Sequence, residues 1–102
     1  MAKRKLIWSP QAKIEIFEIM EFYRKRNGNK NYSIKLFTKI EELLELCRTF
    51  SFIGKRTDIE NVRTLIVEDF LIFYEISERE LTVLTIWNSK QDPSNLQIRK
   101  NK

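Results

Sequence analysis

Hydrophobic positions repeat at helical spacing in the first half of the chain. Ser9-Pro10 is a favourable helix start, because serine caps an N-terminus and proline at the first helical position needs no hydrogen-bond partner. Gly28 suits the left-handed position that follows the end of a helix. The pattern therefore predicts a helix from this start to about Arg26. Its apolar face consists of Ala12, Ile16, Ile19, Met20 and Tyr23.

A second helix is predicted from about Asn31 to Thr49, with a cleaner division between apolar and charged faces. Its apolar stripe consists of Leu36, Phe37, Ile40, Leu43, Leu44 and Cys47. Only three or four residues separate the two helices. A link of that length predicts an antiparallel helical hairpin.

The rest of the chain has the branched and aromatic composition of β-strands. Strands are predicted at Lys5–Trp8, Val62–Val67, Phe70–Ile76 and residues 81–87. The last three should form a meander, since consecutive strands usually pair. Residues 52–61 are interpreted as a polar connector, and residues 88–102 as a loop with a polar, basic end.

These elements predict an α+β fold of the order β-α-α-β-β-β. A single helical hairpin packs on one face of a small antiparallel sheet and leaves the other face partly open. The length of 102 residues indicates one domain covering residues 1–102, and two glycines and two prolines argue against long linkers.

Composition narrows the cellular location and the chemistry. No run of 18 apolar residues exists to span a membrane, and the stretch from Leu6 to Trp8 is too short for a secretion signal. A single cysteine, Cys47, cannot form an internal disulfide, which fits a cytoplasmic protein. The chain has no histidine, so the commonest general base and metal ligand is missing. We therefore expect neither a metal nor a cofactor, and no membrane partner.

The net charge of +5 favours contact with RNA, DNA or an acidic protein segment, or it serves solubility alone. The candidate binding residues are Lys55 and Arg56 in the connector, Arg63 on the following strand and Lys90 after the last strand. Arginine suits phosphate or carboxylate because its donors form a fork. Two alternatives stay open: these residues are solvated surface charges, or Arg63 bonds a carboxylate or a helix carbonyl.

Aromatic side chains on the predicted sheet have two interpretations. Phe70, Phe73, Tyr74 and Trp87 either stack on nucleic-acid bases or belong to the core.

Five short segments, taken in order, carry a recognisable pattern. They are IWSPQAK (residues 7–13), FIGKRTD (52–58), VRTLIV (62–67), FLIFYEI (70–76) and WNSKQDPSNL (87–96). Together they resemble the RelE/ParE superfamily of toxins from bacterial type II toxin–antitoxin systems. The resemblance covers nearly the whole chain and implies the same α+β fold. It also implies a cognate antitoxin whose C-terminal segment wraps the toxin in a hetero-oligomer.

The superfamily implies two different activities. RelE-like members cleave mRNA in the ribosome without a metal, using lysine and arginine to stabilise the transition state and a tyrosine or similar group to assist proton transfer. ParE-like members instead poison DNA gyrase, with no nuclease chemistry attributed to them.

Placing the RelE-type pattern on this chain leaves most of its functional groups unmatched. The strand arginine falls at Leu71, and the C-terminal tyrosine falls at Leu96. The late arginine falls at Lys90, which keeps the charge but lacks the fork. Basic positions of the preceding strand fall near Val62 and Thr64, so that Arg63 is offset by one residue onto the opposite face.

The missing groups and the Asp92-Pro93 ending favour a ParE-like toxin that inhibits DNA gyrase by protein binding. The alternative is a ribosome-dependent mRNA endonuclease whose catalytic candidates are Arg56, Arg63 and Lys90. A second alternative is a non-toxic relative that only binds a partner. Three apolar residues, Ile14, Phe17 and Phe22, lie off the apolar face of the first helix, and together with the exposed sheet they are the predicted antitoxin-binding surface.

Overall fold

Two helices cover one face of a five-stranded sheet in the computed structural model, which describes residues 3–89. The elements in chain order are β1 (Lys5–Trp8), α1 (Pro10–Asn27), α2 (Asn31–Thr49), β2 (Lys55–Arg56), β3 (Val62–Val67), β4 (Phe70–Ile76) and β5 (Glu80–Asn88). This confirms the predicted α+β class. Both helices and the four predicted strands begin and end within about a residue of the predicted positions. No helix within the described range is long and apolar enough to cross a membrane.

Local signals explain where α1 begins and ends. The Ser9 Oγ accepts a hydrogen bond from the Ala12 amide at 3.1 Å, as an N-cap should. Gly28 has a left-handed backbone with φ of 76°, and its amide donates to the Arg24 carbonyl at 2.9 Å. Three basic residues in the last turn of α1 face the negative end of the helix dipole.

The sheet order is β1-β5-β4-β3-β2, which corrects the prediction in two places. The sheet is not purely antiparallel, because β1 pairs in parallel with β5 and places Lys5 opposite Glu80. The connector is not free of strands, because Lys55–Arg56 pairs with β3 as a fifth strand. A strand of two exposed residues has no hydrophobic alternation, so its pattern could not reveal it.

The core lies between the helical hairpin and one face of the sheet. The helices contribute Ala12, Ile16, Leu36, Ile40, Leu44 and Cys47, and the sheet contributes Leu65, Val67, Phe70, Ile72, Tyr74, Leu81, Val83 and Ile86. Strand residues alternate between faces, so Thr64, Ile66 and Leu71 lie on the opposite face. Ile66 is exposed there, Thr64 and Leu71 are half-buried, and Phe73 is buried. The second face is therefore partly open, as predicted.

Candidate binding surfaces

Three of the four predicted basic residues meet at the β2 edge of the sheet. Lys55 lies opposite Thr64 and Arg56 opposite Arg63 in the antiparallel register of β2 and β3. Directly opposed residues share a face, so Arg56 and Arg63 lie on the helix side and Lys55 on the other. Lys55 and Arg56 are exposed, and within residues 3–89 their side chains form no ion pair or hydrogen bond. They are available to a partner.

Arg63 is engaged inside the molecule. Its Nη1 donates to the Gly54 carbonyl at 2.7 Å and to the Phe52 carbonyl at 3.2 Å. The guanidinium also lies over the Phe52 ring, 4.9 Å from the ring centroid, which is a cation–π distance. The structural alternative for Arg63 thus describes its contacts best, although the carbonyls belong to the connector and not to a helix. Its offset from Thr64 onto the opposite face is also as predicted.

Tyr74 binds the same stretch of connector backbone that Arg63 binds. Its hydroxyl donates to the Ser51 carbonyl at 2.8 Å and accepts from the Gly54 amide at 2.9 Å. Burial raises the pKa of the Tyr74 hydroxyl far above its usual value, so the group remains a neutral donor. Residues 50–54, which we call the connector turn, are therefore fixed by two side chains from β3 and β4. Sequence reasoning treated Tyr74 only as a stacking or core aromatic and missed this contact.

The sheet aromatics mostly serve the core. Phe70, Phe73 and Tyr74 are buried, which leaves them no ring face for a nucleic-acid base. Trp87 is half-buried and borders a cleft at the end of the sheet.

Three apolar side chains lie outside the buried face of α1, and each is more than half exposed. The exposed fraction is 59% for Ile14, 64% for Phe17 and 55% for Phe22. At roughly 100° of rotation per residue, Ile14 and Phe17 lie about 60° apart around the helix, and Phe22 lies about 140° from Phe17. Ile14 lies between the other two, so the predicted surface spreads over about 140° of the helix circumference, with Phe17 and Phe22 at its edges.

Phe22 borders a cleft of about 450 Å³ between α1 and the sheet. Its lining consists of Glu15, Glu18, Ile19, Phe22, Tyr23, Phe70, Ile86, Trp87 and Asn88. The cleft forms where β4 begins and β5 ends, so no single segment of the sequence carries a signal for it. It combines apolar walls with two carboxylates, which suits a partly apolar protein segment.

Two sequence predictions lie outside the described residues: the basic candidate Lys90, and the Asp92-Pro93 ending with Leu96. Between residues 3 and 89, no group of three or more acidic or cysteine side chains is arranged to hold a metal ion.

Comparison with known proteins gives a family match and similar solved structures. The family model for the ParE toxin of the type II toxin–antitoxin system parDE matches residues 6–93. The chain is also similar to a structure described as the chromosomal ParDE TA system from P. aeruginosa. That likeness has a TM-score of 0.73 and 21% identity, and it covers 86% of this chain and 98% of that one. No curated protein sequence matches.

Proposed function

Because the chain belongs to the ParE toxin family and is a ParE-like toxin, we propose that it inhibits DNA gyrase by binding it as a protein. The observation that supports this choice is the use of Arg63 within the fold. In the resemblance to RelE-like ribonucleases, the strand positions expected to carry cations fall near Val62 and Thr64 and at Leu71. Arg63 is the one basic residue in β3 and β4. Its guanidinium is bonded to two connector carbonyls.

Phosphoryl transfer depends on cations that are already aimed at the developing charge. At this site, Val62 is buried, and within the described residues the Thr64 hydroxyl oxygen is buried without a hydrogen-bond partner. Neither group stabilises a phosphorane-like oxygen. One observation favours the ribonuclease alternative: Lys55 and Arg56 stay exposed and unpaired at the sheet edge, within the part of the chain that the structure describes.

Two assays separate these candidates. Purified gyrase should lose supercoiling activity when the toxin is added, and a premixed antitoxin should restore it. Ribosome-bound mRNA should stay intact under the same conditions, with and without Arg56→Ala. Undiminished supercoiling at a large molar excess of toxin would refute the gyrase proposal. Cleavage of mRNA that disappears in Arg56→Ala would establish the ribonuclease in its place.

The antitoxin partner follows from the family, and we propose that it covers the exposed apolar side chains of α1. Phe17→Asp should weaken toxin–antitoxin affinity roughly 30-fold, because a central aromatic contact is worth about 2 kcal/mol or more. Calorimetric titration measures the change. Ile34→Asp is a matched control, since Ile34 is an apolar side chain that is 54% exposed and lies on α2 instead of α1. Equal affinities for Phe17→Asp and wild type would show that Phe17 does not contact the antitoxin.

Gyrase and the ribosome are both cytoplasmic targets, so either mode of action places the toxin in the cytoplasm.

A further inference from the structure

Apolar side chains are exposed on the connector turn as well as on α1. Phe50 is 59% exposed, Phe52 70% and Ile53 43%. Leu46, one helical turn before Phe50, is 46% exposed, and its carbonyl accepts the Phe50 amide at 3.0 Å. Four large apolar side chains within eight residues form a local patch. Such a patch on a small folded protein commonly marks an interaction surface.

The backbone that carries this patch is held in place. Ser51 is buried, its carbonyl bonds the Tyr74 hydroxyl, and its Oγ accepts from Arg4 at 3.3 Å. Gly54 bonds both Tyr74 and Arg63, as described above. The turn therefore cannot fold its apolar side chains inward without breaking these bonds. A fixed turn also loses little conformational entropy on binding, which favours its use as a docking surface.

The charges beside the turn indicate the chemistry of its partner. Lys55 and Arg56 follow it directly and are unpaired within the described residues. Within residues 3–89, Arg4 and Arg63 donate their side-chain hydrogen bonds to neutral oxygens and form no salt bridge. A partner segment with acidic side chains complements this edge.

A protein segment fits this surface better than a nucleic acid does. Ile53 and Leu46 cannot stack on bases in the way aromatic rings do. Phe52, Arg56 and Arg63 line a cleft of about 750 Å³. Asp58, Glu60 and Glu78 line the same cleft, and these alternating charges would repel a continuous phosphate backbone. A peptide can place its separate carboxylates beside the cations and its apolar side chains on the turn.

We propose that the connector turn is the surface on which this toxin docks its cellular target, through an acidic protein segment with apolar anchor residues. The identity of that target as gyrase rests on the function proposed above, while the docking surface does not. Phe52 is the central anchor because it is the most exposed of the four apolar side chains and is held under Arg63.

The test compares Phe52→Asp and Arg56→Glu with wild type and with the control Ile34→Asp. Phe52→Asp should raise the toxin concentration needed for half-inhibition of purified gyrase at least tenfold, and Arg56→Glu should raise it severalfold. Ile34→Asp should inhibit as wild type does. Affinity for the antitoxin, measured by calorimetry, should stay within twofold of wild type in Phe52→Asp, which also shows that the variant folds.

Growth arrest separates failure of this inference from failure of the gyrase proposal. If wild-type toxin leaves gyrase unaffected but arrests growth, and Phe52→Asp at equal expression does not, the docking surface stands and only the target is wrong. Equal arrest by both proteins, or no arrest by wild type, overturns the inference. A parallel loss of antitoxin affinity in Phe52→Asp would assign the turn to the antitoxin. Binding of wild type to a single-stranded RNA oligonucleotide that Phe52→Asp abolishes would assign it to nucleic acid.

Discussion

Gly54 lies where the connector turn comes closest to the sheet. A Cβ atom placed on it would lie 2.6 Å from the Tyr74 hydroxyl oxygen and 2.9 Å from the Thr64 carbonyl oxygen. Both oxygens belong to fixed parts of the sheet, so the strain cannot be relieved by a flexible side chain. We expect Gly54→Ala to lower the free energy of unfolding by about 1–3 kcal/mol, the usual range for overpacking. Urea denaturation measures the loss.

Gly28 provides the control for this substitution. A Cβ at Gly28 meets no atom within 4 Å, so Gly28→Ala adds only the strain of its left-handed backbone, about 1 kcal/mol. A loss in Gly54→Ala no larger than in Gly28→Ala would show that the connector turn yields to the added methyl group.

Tyr74 makes stability depend on pH in the alkaline range. Burial raises its pKa in the folded protein above the usual value of about 10, so unfolding releases a proton at high pH. The stabilisation is complete below about pH 10 and is lost as the pH rises through and above that value. We expect the free energy of unfolding to fall less steeply above pH 10 in Tyr74→Phe than in wild type, as measured by urea denaturation at several pH values.

Tyr32 has a raised pKa as well, mainly because burial disfavours its charged form. Its contribution to the pH dependence of stability is the same in wild type and in Tyr74→Phe. At neutral pH, Tyr74→Phe should be about 1–3 kcal/mol less stable, because the Ser51 carbonyl and Gly54 amide lose a buried partner. Identical pH dependence in the two proteins would mean that Tyr74 does not retain its proton in the folded state.

In the candidate site, the exposure of single residues could be predicted from the sequence, but their contacts could not. Exposure of Ile14, Phe17 and Phe22 followed from helical periodicity, since positions off the buried stripe must face away from the core. The contacts of Arg63 did not follow, because the two carbonyls that it binds are placed by the connector and not by its own strand. The one-residue offset of Arg63 from Thr64 predicts which face of the sheet Arg63 lies on, but it does not predict which groups Arg63 binds.

The helices were the most predictable elements, because caps and periodicity are local signals. The meander was also predictable, since β3, β4 and β5 follow one another and pair in sequence order. The pairing of β1 with β5 joins residues that are far apart in the chain, and β2 is two residues long. Such long-range or very short pairings leave no periodic pattern to interpret.

One contact between α1 and the sheet lies beside a β-bulge. Between Phe73 and Tyr74 the register with β5 shifts, so that Phe73 lies opposite Thr85 and Tyr74 opposite Val83. Beside the bulge, the Glu15 Oε1 of α1 accepts hydrogen bonds from the Thr85 hydroxyl and the Ile86 amide, both at 2.8 Å. This carboxylate therefore joins α1 to the sheet.

Removing that carboxylate should loosen α1. We expect Glu15→Ala to lower the free energy of unfolding by about 1–3 kcal/mol, since the Ile86 amide and the Thr85 hydroxyl lose an acceptor. Glu15→Gln is the control, because its amide oxygen can accept the same bonds, and it should retain most of the stability. Urea denaturation compares the three proteins, and equal losses in both variants would contradict a hydrogen-bonding role.

For the molecule as a whole, charge and apolar exposure act on different steps of binding. The net charge of +5 attracts an acidic partner over a distance and raises the rate of association. Apolar side chains that become buried in the complex instead slow its dissociation. We expect the association rate constant with the antitoxin to fall as salt rises, because ions screen charges over about 10 Å at 0.1 M. The dissociation rate constant should change much less.

Stopped-flow fluorescence at increasing salt concentrations measures both rate constants. Phe17→Ala supplies the contrast, since it removes an apolar contact without changing the charge: its dissociation should be faster at every salt concentration, with the salt dependence of association nearly unchanged. An association rate constant that is independent of salt would mean that the positive charge of this toxin does not steer its antitoxin. Its excess of basic residues would then serve target docking or solubility instead.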